Sequence, residues 1–237
     1  MLSKLNQIGI NLTDKQCMRF EKYYELLVEW NSFMNLTGIT EHDEVLLKHY
    51  IDSLWVYSVD EFRELIDNGG KVIDVGTGAG FPGVPLKIAF PDNEVMLLDS
   101  LNKRINFLNE VISQTGLTKI TAEHGRAEDF ARKPEIRENY DICVSRAVAN
   151  LATLSEYCLP FVKCGGIFVA YKSGAIDEEL EESKRAVAIL GGEIEKLYKT
   201  VLPDTDIERS FVVIRKKKAT PKKYPRKAGL PAKEPLK

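Results

Sequence analysis

The feature that most constrains the fold is an alternation of short apolar segments with amphipathic segments, which begins at Lys71. Strands that alternate with helices form a parallel sheet covered by helices on both faces. The alternation then stops, because two predicted strands, 193–200 and 211–215, follow each other with a loop and no helix between them. The sequence therefore predicts an α/β fold with a mostly parallel sheet and an antiparallel pair at its C-terminal edge.

The individual elements follow from the same pattern. Ser100 precedes a helix that ends at Gly116, and we expect Ser100 to cap it. Pro82 is a suitable first residue for the helix after a glycine-rich loop. The other predicted helices are 151–162 and 177–190. The five predicted parallel strands are 71–75, 94–99, 120–123, 140–145 and 167–172.

Residues 1–68 are predicted to be helical. Thr13 and Gln16 have the spacing of a capping box, and the amphipathic pattern behind them continues to about Met34. Two further helices are expected over 43–57 and 61–66. We therefore expect an N-terminal helical region (1–68), a sheet domain (69–217) and a basic, proline-containing tail (218–237).

The loop after the first strand carries the strongest local signal. It reads Asp74-Val75-Gly76-Thr77-Gly78-Ala79-Gly80-Phe81-Pro82-Gly83, between a strand and a helix. Glycines let the backbone approach a ligand closely, and a helix N-terminus favours negative or polar ligand groups. The last six residues match G-x-G-x-x-G, the dinucleotide fingerprint.

Three interpretations of this loop remain open: a turn without a ligand, a nicotinamide or flavin nucleotide site, and a site for S-adenosylmethionine. Asp74 would repel a pyrophosphate, whereas an ammonium or sulfonium group would be attracted to it. The spacing Gly76-x-Gly78-x-Gly80 also suits an adenosyl-methionine loop. We therefore favour S-adenosylmethionine, with Asp74, Gly76 and Gly78 among its binding residues.

Polar residues follow the later strands, at the edge where open α/β sheets bind ligands. Asp99 could accept two ribose hydroxyls, or it could only place a charge at a helix N-terminus. The 127–128 backbone could read an adenine edge, or the segment could be an exposed acidic loop. Arg146 follows the fourth predicted strand, and Lys172 lies at the end of the fifth. Either cation could be functional or only solvated.

A second candidate group consists of Asn35, His49 and Asp52. His49 and Asp52 are three residues apart on one predicted helix and could hydrogen-bond each other. The three residues could form a polar contact between the helical region and the sheet domain. Alternatively, they could form a wall of a substrate pocket.

The charge distribution is uneven although the net charge is only −2. Ten Lys/Arg and one acid lie from Arg215 to Lys237, a net +9, while residues 1–214 carry −11. Such asymmetry is typical of a tail that contacts nucleic acid or another anionic surface. We expect an extended, stiff tail that binds RNA phosphates; the alternative is a disordered tail that serves solubility.

Other features limit the class of protein. The four cysteines lack C-x-x-C spacing, and the three histidines show no metal-site pattern, so we expect no metal. We see no signal peptide and no apolar segment of membrane-spanning length. We therefore expect a cytoplasmic protein with reduced cysteines. The sequence shows no strong association surface, and we therefore expect a monomer.

Several motifs together resemble one family, the bacterial 16S ribosomal RNA guanine-N7 methyltransferases, once called glucose-inhibited division protein B. The resemblance extends over nearly the whole chain, and its N-terminal and tail motifs are more specific than the glycine loop. The similar segments are 30–31, 35–37, 48–49, 52–53, 74–83, 99–100, 103–104, 126–128, 145–148 and 220–227.

The resemblance implies a seven-stranded class I methyltransferase fold and methylation of one guanine in the 530 loop of 16S rRNA. It also implies cofactor contacts from Gly76, Phe81, Ala127, Glu128 and Arg146. The partner would be 16S rRNA or the small ribosomal subunit.

Guanine N7 has a free lone pair and no proton, so its methylation requires alignment of the reactants but no general base. Our hypothesis is that Arg146 holds the cofactor and Lys172 the RNA, with Asn35 and His49 as further candidates for the RNA pocket.

Two other functions remain open. A nicotinamide-dependent oxidoreductase would need a Ser/Tyr/Lys proton relay, which we cannot assemble. A non-enzymatic RNA-binding or ribosome-assembly protein would keep only a vestigial cofactor loop.

Overall fold

A seven-stranded sheet lies at the centre of the computed structural model, which describes residues 1–146 and 149–236. Ala147 and Val148, half of one family-like motif, lie outside these described residues, as does Lys237 at the end of the tail. The strands run in the spatial order β3-β2-β1-β4-β5-β7-β6. They are β1 (Val72–Val75), β2 (Val95–Asp99), β3 (Ile120–His124), β4 (Tyr140–Arg146), β5 (Val162–Ser173), β6 (Gly192–Val201) and β7 (Glu208–Lys216).

The predicted sheet is confirmed. Strands β1 to β5 pair in parallel, whereas β7 pairs antiparallel with both β5 and β6. β6 is the outermost strand, and β7 inserts between it and β5. The carboxyl ends of β1 to β5 therefore share one edge of the sheet, on which the predicted ligand residues converge.

The predicted helices are present in the predicted order, whereas two short helices, Ala127–Phe130 and Leu230–Lys233, were not predicted. Among the described residues, no helix has the length and apolar character of a membrane span. The region after the short helix His42–Val45 is one continuous helical segment that contains a π-helical turn, Leu46–Ile51, and ends in a 3₁₀ turn, Trp55–Ser58. A second 3₁₀ turn, Leu159–Phe161, precedes β5. The α-helices are α1 (Leu2–Asn6), α2 (Asp14–Met34), α3 (His42–Val45), α4 (Asp52–Leu54), α5 (Asp60–Asp67), α6 (Gly83–Ala89), α7 (Asn102–Thr115), α8 (Ala127–Phe130), α9 (Leu151–Cys158), α10 (Asp177–Ile189) and α11 (Leu230–Lys233).

Three local expectations are wrong. Ser100 does not cap α7; instead Asp99 Oδ1 accepts the Leu101 N–H, 2.9 Å away. Pro82 precedes α6, which begins at Gly83, because the loop residues before it keep a tight turn of their own. Val162 belongs to β5 rather than to a helix, since it pairs with Tyr140 across the sheet.

The N-terminal helices share a core with the sheet. Thr13 and Gln16 form the predicted capping box at the start of α2. The buried side chains of Phe20 and Leu27 pack in the same cluster as Val144 and other residues from one face of the sheet. Burial of this apolar surface is the main stabilising term. The helical region is therefore packed as an integral layer on one face of the sheet.

The C-terminal segment 217–236, here called the C-terminal strap, folds back onto the other face of the sheet. Tyr224 and Pro231 are buried, and Tyr224 belongs to the core cluster that contains α9 and α10 residues. Arg137 donates hydrogen bonds to the carbonyls of Thr220 and Tyr224. The expectation of an extended tail is therefore wrong for the described residues, because its aromatic ring and backbone find partners on the body.

One ion pair anchors the middle of the strap. The carboxylate of Glu156, on α9, has no solvent exposure. It accepts hydrogen bonds from the backbone N–H and from Nε and Nη2 of Arg226, at 2.7–3.1 Å. Arg226 is therefore committed to the fold. The exposed cations of the strap are Lys217, Lys218, Lys222, Lys223, Lys227 and Lys233.

We expect Arg226→Ala to lower the free energy of unfolding by about 2–3 kcal/mol, because it leaves the buried Glu156 charge without its partner. Urea unfolding measures the change. Lys227→Ala, which removes an exposed neighbouring charge, should change stability by no more than about 0.5 kcal/mol. The double variant Arg226→Ala/Glu156→Gln should recover part of the loss. Equal stability of Arg226→Ala and Lys227→Ala would contradict the anchoring role.

Candidate cofactor and substrate site

A cavity of about 510 Å³ opens at the carboxyl ends of β1, β2, β3 and β4. Eight of the predicted site residues line it, whereas Asn35, Asp74 and Lys172 do not. Leu36, Thr37, Arg104, Arg126 and Tyr157 also line it and were not among the predicted site residues. The predicted residues that line the cavity are His49, Gly76, Gly78, Phe81, Asp99, Ala127, Glu128 and Arg146.

Asp74 lies beneath the glycine loop and is fully buried. Its Oδ2 accepts hydrogen bonds from the Thr77 hydroxyl, at 2.6 Å, and from the Gly83 N–H, at 2.8 Å. Its Oδ1 is buried and has no hydrogen-bond partner among residues 1–146 and 149–236. Burial raises the pKa of Asp74 to about 7, although both hydrogen bonds oppose that shift. The carboxylate therefore positions the loop.

The loop backbone needs glycine at three places. Gly76, Gly78 and Gly80 have φ values of 72°, 63° and 102°, a region that other residues adopt at a cost. Helix α2 supports the loop from outside, because the buried Tyr23 hydroxyl donates to the Ala79 carbonyl at 2.5 Å. The N-terminal region therefore helps to hold the loop in place.

Asp99 ends β2 with a nearly buried carboxylate. Its Oδ2 accepts the Gly78 N–H at 2.9 Å and an N–H of Arg104 at 3.1 Å. A carboxylate offers about four acceptor positions. Arg104 is only partly buried and lines the same cavity, so it is the group that two hydroxyls of a ligand would displace.

Glu128 and Ala127 begin α8, directly after β3 and its loop. The Glu128 carboxylate is buried and accepts the N–H of Gly229, in the strap, at 2.9 Å. Its side chain is therefore held by the strap. Neighbouring Tyr157 follows Glu156, the anchor of Arg226, so the strap braces two residues of the cavity wall.

Arg146 joins the sheet to the N-terminal helices. Its Nη1 donates to Asp52 Oδ2 at 3.0 Å and to the Lys48 carbonyl at 3.3 Å. Asp52 is almost fully buried and also accepts hydrogen bonds from Arg209, at the start of β7. The expected hydrogen bond between His49 and Asp52 is wrong, because the π-helical turn changes their spacing and both residues bind Arg146 instead.

His49 lies between Arg146 and Phe81. The imidazole ring of His49 stacks on the phenyl ring of Phe81, with centroids 4.3 Å apart. The Arg146 guanidinium lies 5.1 Å from the centroid of the Phe81 ring. Its Nε2 is 2.9 Å from the Thr37 hydroxyl. Burial and the Arg146 charge lower the pKa of His49 to about 4, so the ring is neutral near pH 7.

The two candidate RNA residues that do not line the cavity, Lys172 and Asn35, have other contacts. Lys172 donates to the Ala149 carbonyl and to Glu179 Oε1, both at 2.6 Å, and Glu179 also accepts the Leu151 N–H. Lys172 therefore holds Ala149 directly and Leu151 through Glu179. Asn35 is exposed and ends α2 in a left-handed conformation, which directs the chain towards Leu36 and Thr37.

Two residues of this region, Arg209 and Thr37, were not among the predicted site residues and differ in how far the sequence could have indicated them. Arg209 is 157 residues from Asp52, and no sequence pattern links the two. Thr37 belongs to a family-like segment and follows Asn31, whose side chain accepts the N–H groups of Leu36 and Thr37. The Asn31 side chain therefore holds the backbone from which Thr37 reaches the cavity wall.

Comparisons with known proteins give consistent results. The family described as "GidB: rRNA small subunit methyltransferase G" matches residues 16–208. A protein of Lachnoclostridium phytofermentans named ribosomal RNA small subunit methyltransferase G is 56% identical over 232 residues, which cover 98% of this chain and 94% of the relative. A protein of the same name from Desulforamulus reducens is 54% identical and covers 97% of this chain and 94% of the relative.

Solved structures share the fold at low sequence identity. M. jannaschii TYW2, solved in complex with AdoMet, superimposes with a TM-score of 0.51 and 14% identity, covering 67% of this chain and 75% of that one. TrmN from Thermus thermophilus has a TM-score of 0.51 and 16% identity, covering 72% and 53%. The chain therefore has the class I methyltransferase fold.

We expect the unfolding free energy of Asp74→Asn to increase relative to that of the natural protein as the pH rises from 5 to 8. The folded pKa of about 7 lies above the ordinary value of 3.8, so the folded state holds the proton more tightly. This contribution is complete below the ordinary pKa and is lost as the pH rises through the folded pKa. The difference in unfolding free energy should change by up to about 1.4 kcal/mol per pH unit.

Urea unfolding of both proteins at pH 5, 6, 7 and 8 measures this difference. Asp43→Asn, at a fully exposed carboxylate, is the matched control and should show no such trend. Parallel pH curves for Asp74→Asn and the natural protein would show that the carboxylate ionises as freely in the folded state as in the unfolded state.

Proposed function

The chain belongs to the family of rRNA small subunit methyltransferase G proteins, and we propose that it transfers a methyl group from S-adenosylmethionine to 16S rRNA. The acceptor in this proposal is N7 of a guanine in the 530 loop, as the family resemblance implies. The observation that supports this site most directly is the cavity at the carboxyl edge of the sheet. Its wall contains the glycine loop, Asp99, Ala127 and Arg146. A cytoplasmic monomer is part of the same proposal.

The residues of this cavity suit a sulfonium nucleoside. Asp99 would accept the ribose hydroxyls once Arg104 moves aside, and the 127–128 backbone would face the adenine. The carboxylate of Asp74 lies beneath the loop and would favour a positive charge above it. Arg146 has Nε and one Nη2 hydrogen without a partner among the described residues, and these would hold the cofactor carboxylate. When bound, the cofactor supplies an electrophilic methyl group.

The acceptor end of the cavity supports a reaction without a general base. His49 is neutral, and Arg146 directs a hydrogen atom at its Nδ1, so this ring adds no positive charge beside the methylated guanine. Phe81 supplies an apolar surface next to it. The chain's task at this end is to orient the acceptor and exclude water, which is sufficient for a nitrogen that carries no proton.

The proposed RNA surface consists of the exposed lysines of the strap and the region around Lys172. Arg226 is excluded from this surface because it pairs with Glu156, and the remaining cations lie outside on a strap that contacts Glu128 of the cavity wall. Lys172 would act through the Ala149 segment that it holds. Positive charge beside the cavity would attract the phosphates that surround the target base.

The decisive experiment measures transfer of labelled methyl from S-adenosylmethionine to small ribosomal subunits, isolated from a strain that lacks this protein, and to naked 16S rRNA. We expect label in the RNA, and borohydride reduction followed by aniline should cleave the strand at the labelled nucleotide, as it does at N7-methylguanine. Label that resists this treatment would exclude N7. No transfer to any ribosomal substrate would support a non-enzymatic RNA-binding protein instead.

We expect the triple variant Lys222→Gln, Lys223→Gln, Lys227→Gln to bind RNA more weakly and with less salt dependence. Each phosphate contact contributes about 0.7–0.9 to the slope of log K against log salt, so the slope should fall by about 2–3. The control triple Lys15→Gln, Lys163→Gln, Lys184→Gln removes the same charge elsewhere. Cofactor affinity should stay constant in both. Equal slopes for the two triples would remove the strap from the RNA surface.

A further inference from the structure

The carboxylate of Asp99 divides its acceptor positions between the backbone and one side chain. Its Oδ1 accepts the Leu101 N–H at 2.9 Å, and its Oδ2 accepts the Gly78 N–H at 2.9 Å. Nη1 of Arg104 contacts both oxygens, at 3.4 Å and 3.1 Å. Because a carboxylate offers about four acceptor positions, the backbone uses two of them and Arg104 lies across the other two.

These other two positions are the ones that a pair of ribose hydroxyls needs. The backbone donors belong to the glycine loop and to Leu101, the residue before α7, so both are built into the fold. Arg104, in contrast, is a side chain that is 34% exposed and lines the cavity. A ribose and the Arg104 guanidinium therefore compete for the same side of Asp99.

A second arginine lies on the neighbouring strand end. Asp99 pairs with His124 across the sheet, and the Gly125 N–H donates to the Asp99 carbonyl at 3.0 Å. Arg126 follows directly, is exposed and lines the same cavity as Arg104. A guanidinium that leaves Asp99 therefore remains in a part of the cavity wall that already carries positive charge.

This part of the wall is continuous with the strap. Arg126 is two residues before Glu128, whose carboxylate accepts the N–H of Gly229 in the strap. Lys103, beside Arg104 on α7, is also exposed. The cations around Asp99 thus extend the lysine surface of the strap towards the cavity. A phosphate is the partner that such a surface suits, and the planar donors of arginine bind it well.

We propose that Arg104 couples the binding of the two substrates: the ribose of S-adenosylmethionine displaces it from Asp99, and the freed guanidinium binds a phosphate of the RNA. This inference rests on the proposed function. When no ribose holds Asp99, RNA can engage Arg104 only by breaking the ion pair. Each substrate therefore raises the affinity of the other, and thermodynamic linkage makes the factor equal in both directions.

The first test measures the affinity for S-adenosylhomocysteine, which has the same ribose and transfers no methyl group, by titration calorimetry. Arg104→Met should bind it about two- to fivefold more tightly than the natural protein, because no ion pair has to be broken. A damaged fold could not produce such a gain. Lys103→Met is the matched control, since Lys103 donates to the Met34 carbonyl rather than to Asp99, and its affinity should be unchanged.

The second test measures binding of small ribosomal subunits, isolated from a strain that lacks this protein, with and without saturating S-adenosylhomocysteine. The natural protein and Lys103→Met should each bind the subunits about two- to fivefold more tightly with it, a gain limited by the strength of the same ion pair. Arg104→Met should bind the subunits equally well in both conditions.

Two results would overturn the proposal. A lower affinity of Arg104→Met for S-adenosylhomocysteine would assign Arg104 to direct contact with the cofactor. The same response of subunit binding to S-adenosylhomocysteine in Arg104→Met and the natural protein would show that the freed guanidinium does not reach the RNA. A natural protein that binds neither S-adenosylhomocysteine nor the subunits would instead overturn the proposed function, and this inference with it.

Discussion

The carboxylate of Asp74 lies at the end of β1, out of contact with solvent, and binds the Thr77 hydroxyl and the Gly83 N–H. These two bonds close the glycine loop over the strand end and set the start of α6. Glycine at position 83 is required there, because a Cβ would lie 2.8 Å from Asp74 Oδ2 and 2.3 Å from Leu97. The geometry of the whole cavity depends on this buried acceptor, since the loop forms one of its walls. Burial raises the pKa of the Asp74 carboxyl, so its ionisation is sensitive to a charge above the loop.

Two further buried carboxylates join separate parts of the chain. Asp52 connects α4 with Arg146 of β4 and Arg209 of β7, and Glu156 connects α9 with Arg226 of the strap. Each buried acid is compensated by a guanidinium, whose planar donors suit a carboxylate. Removal of one partner would leave a charge that the interior cannot solvate. The ion pairs therefore hold the N-terminal helices and the strap in fixed positions on the sheet. The N-terminal region supplies residues that line the cavity, and the strap braces its wall at Glu128.

Local patterns were predictable where neighbouring residues decide the structure. The capping box of Thr13 and Gln16, the strand before the glycine loop and the helix that ends at Gly116 all follow from contacts within a few residues. The roles of Ser100 and the tail were not predictable in this way. Asp99 replaces Ser100 as the acceptor at the start of α7, and a count of tail charges does not reveal that Arg226 has a partner 70 residues earlier.

The sequence alone determined the α/β alternation, the antiparallel C-terminal pair and the position of the ligand loop, because strand and helix periodicity and glycine spacing are local properties. It also placed Asp99, Ala127 and Arg146 at one sheet edge, since parallel strands end on the same side. Only the tertiary structure decided that Asp52 binds Arg146 rather than His49, that the His49 ring contacts the Thr37 hydroxyl and Phe81, and that the basic tail is a strap. These outcomes depend on buried polar groups finding partners far away in the chain, and burial is established only when the layers pack together.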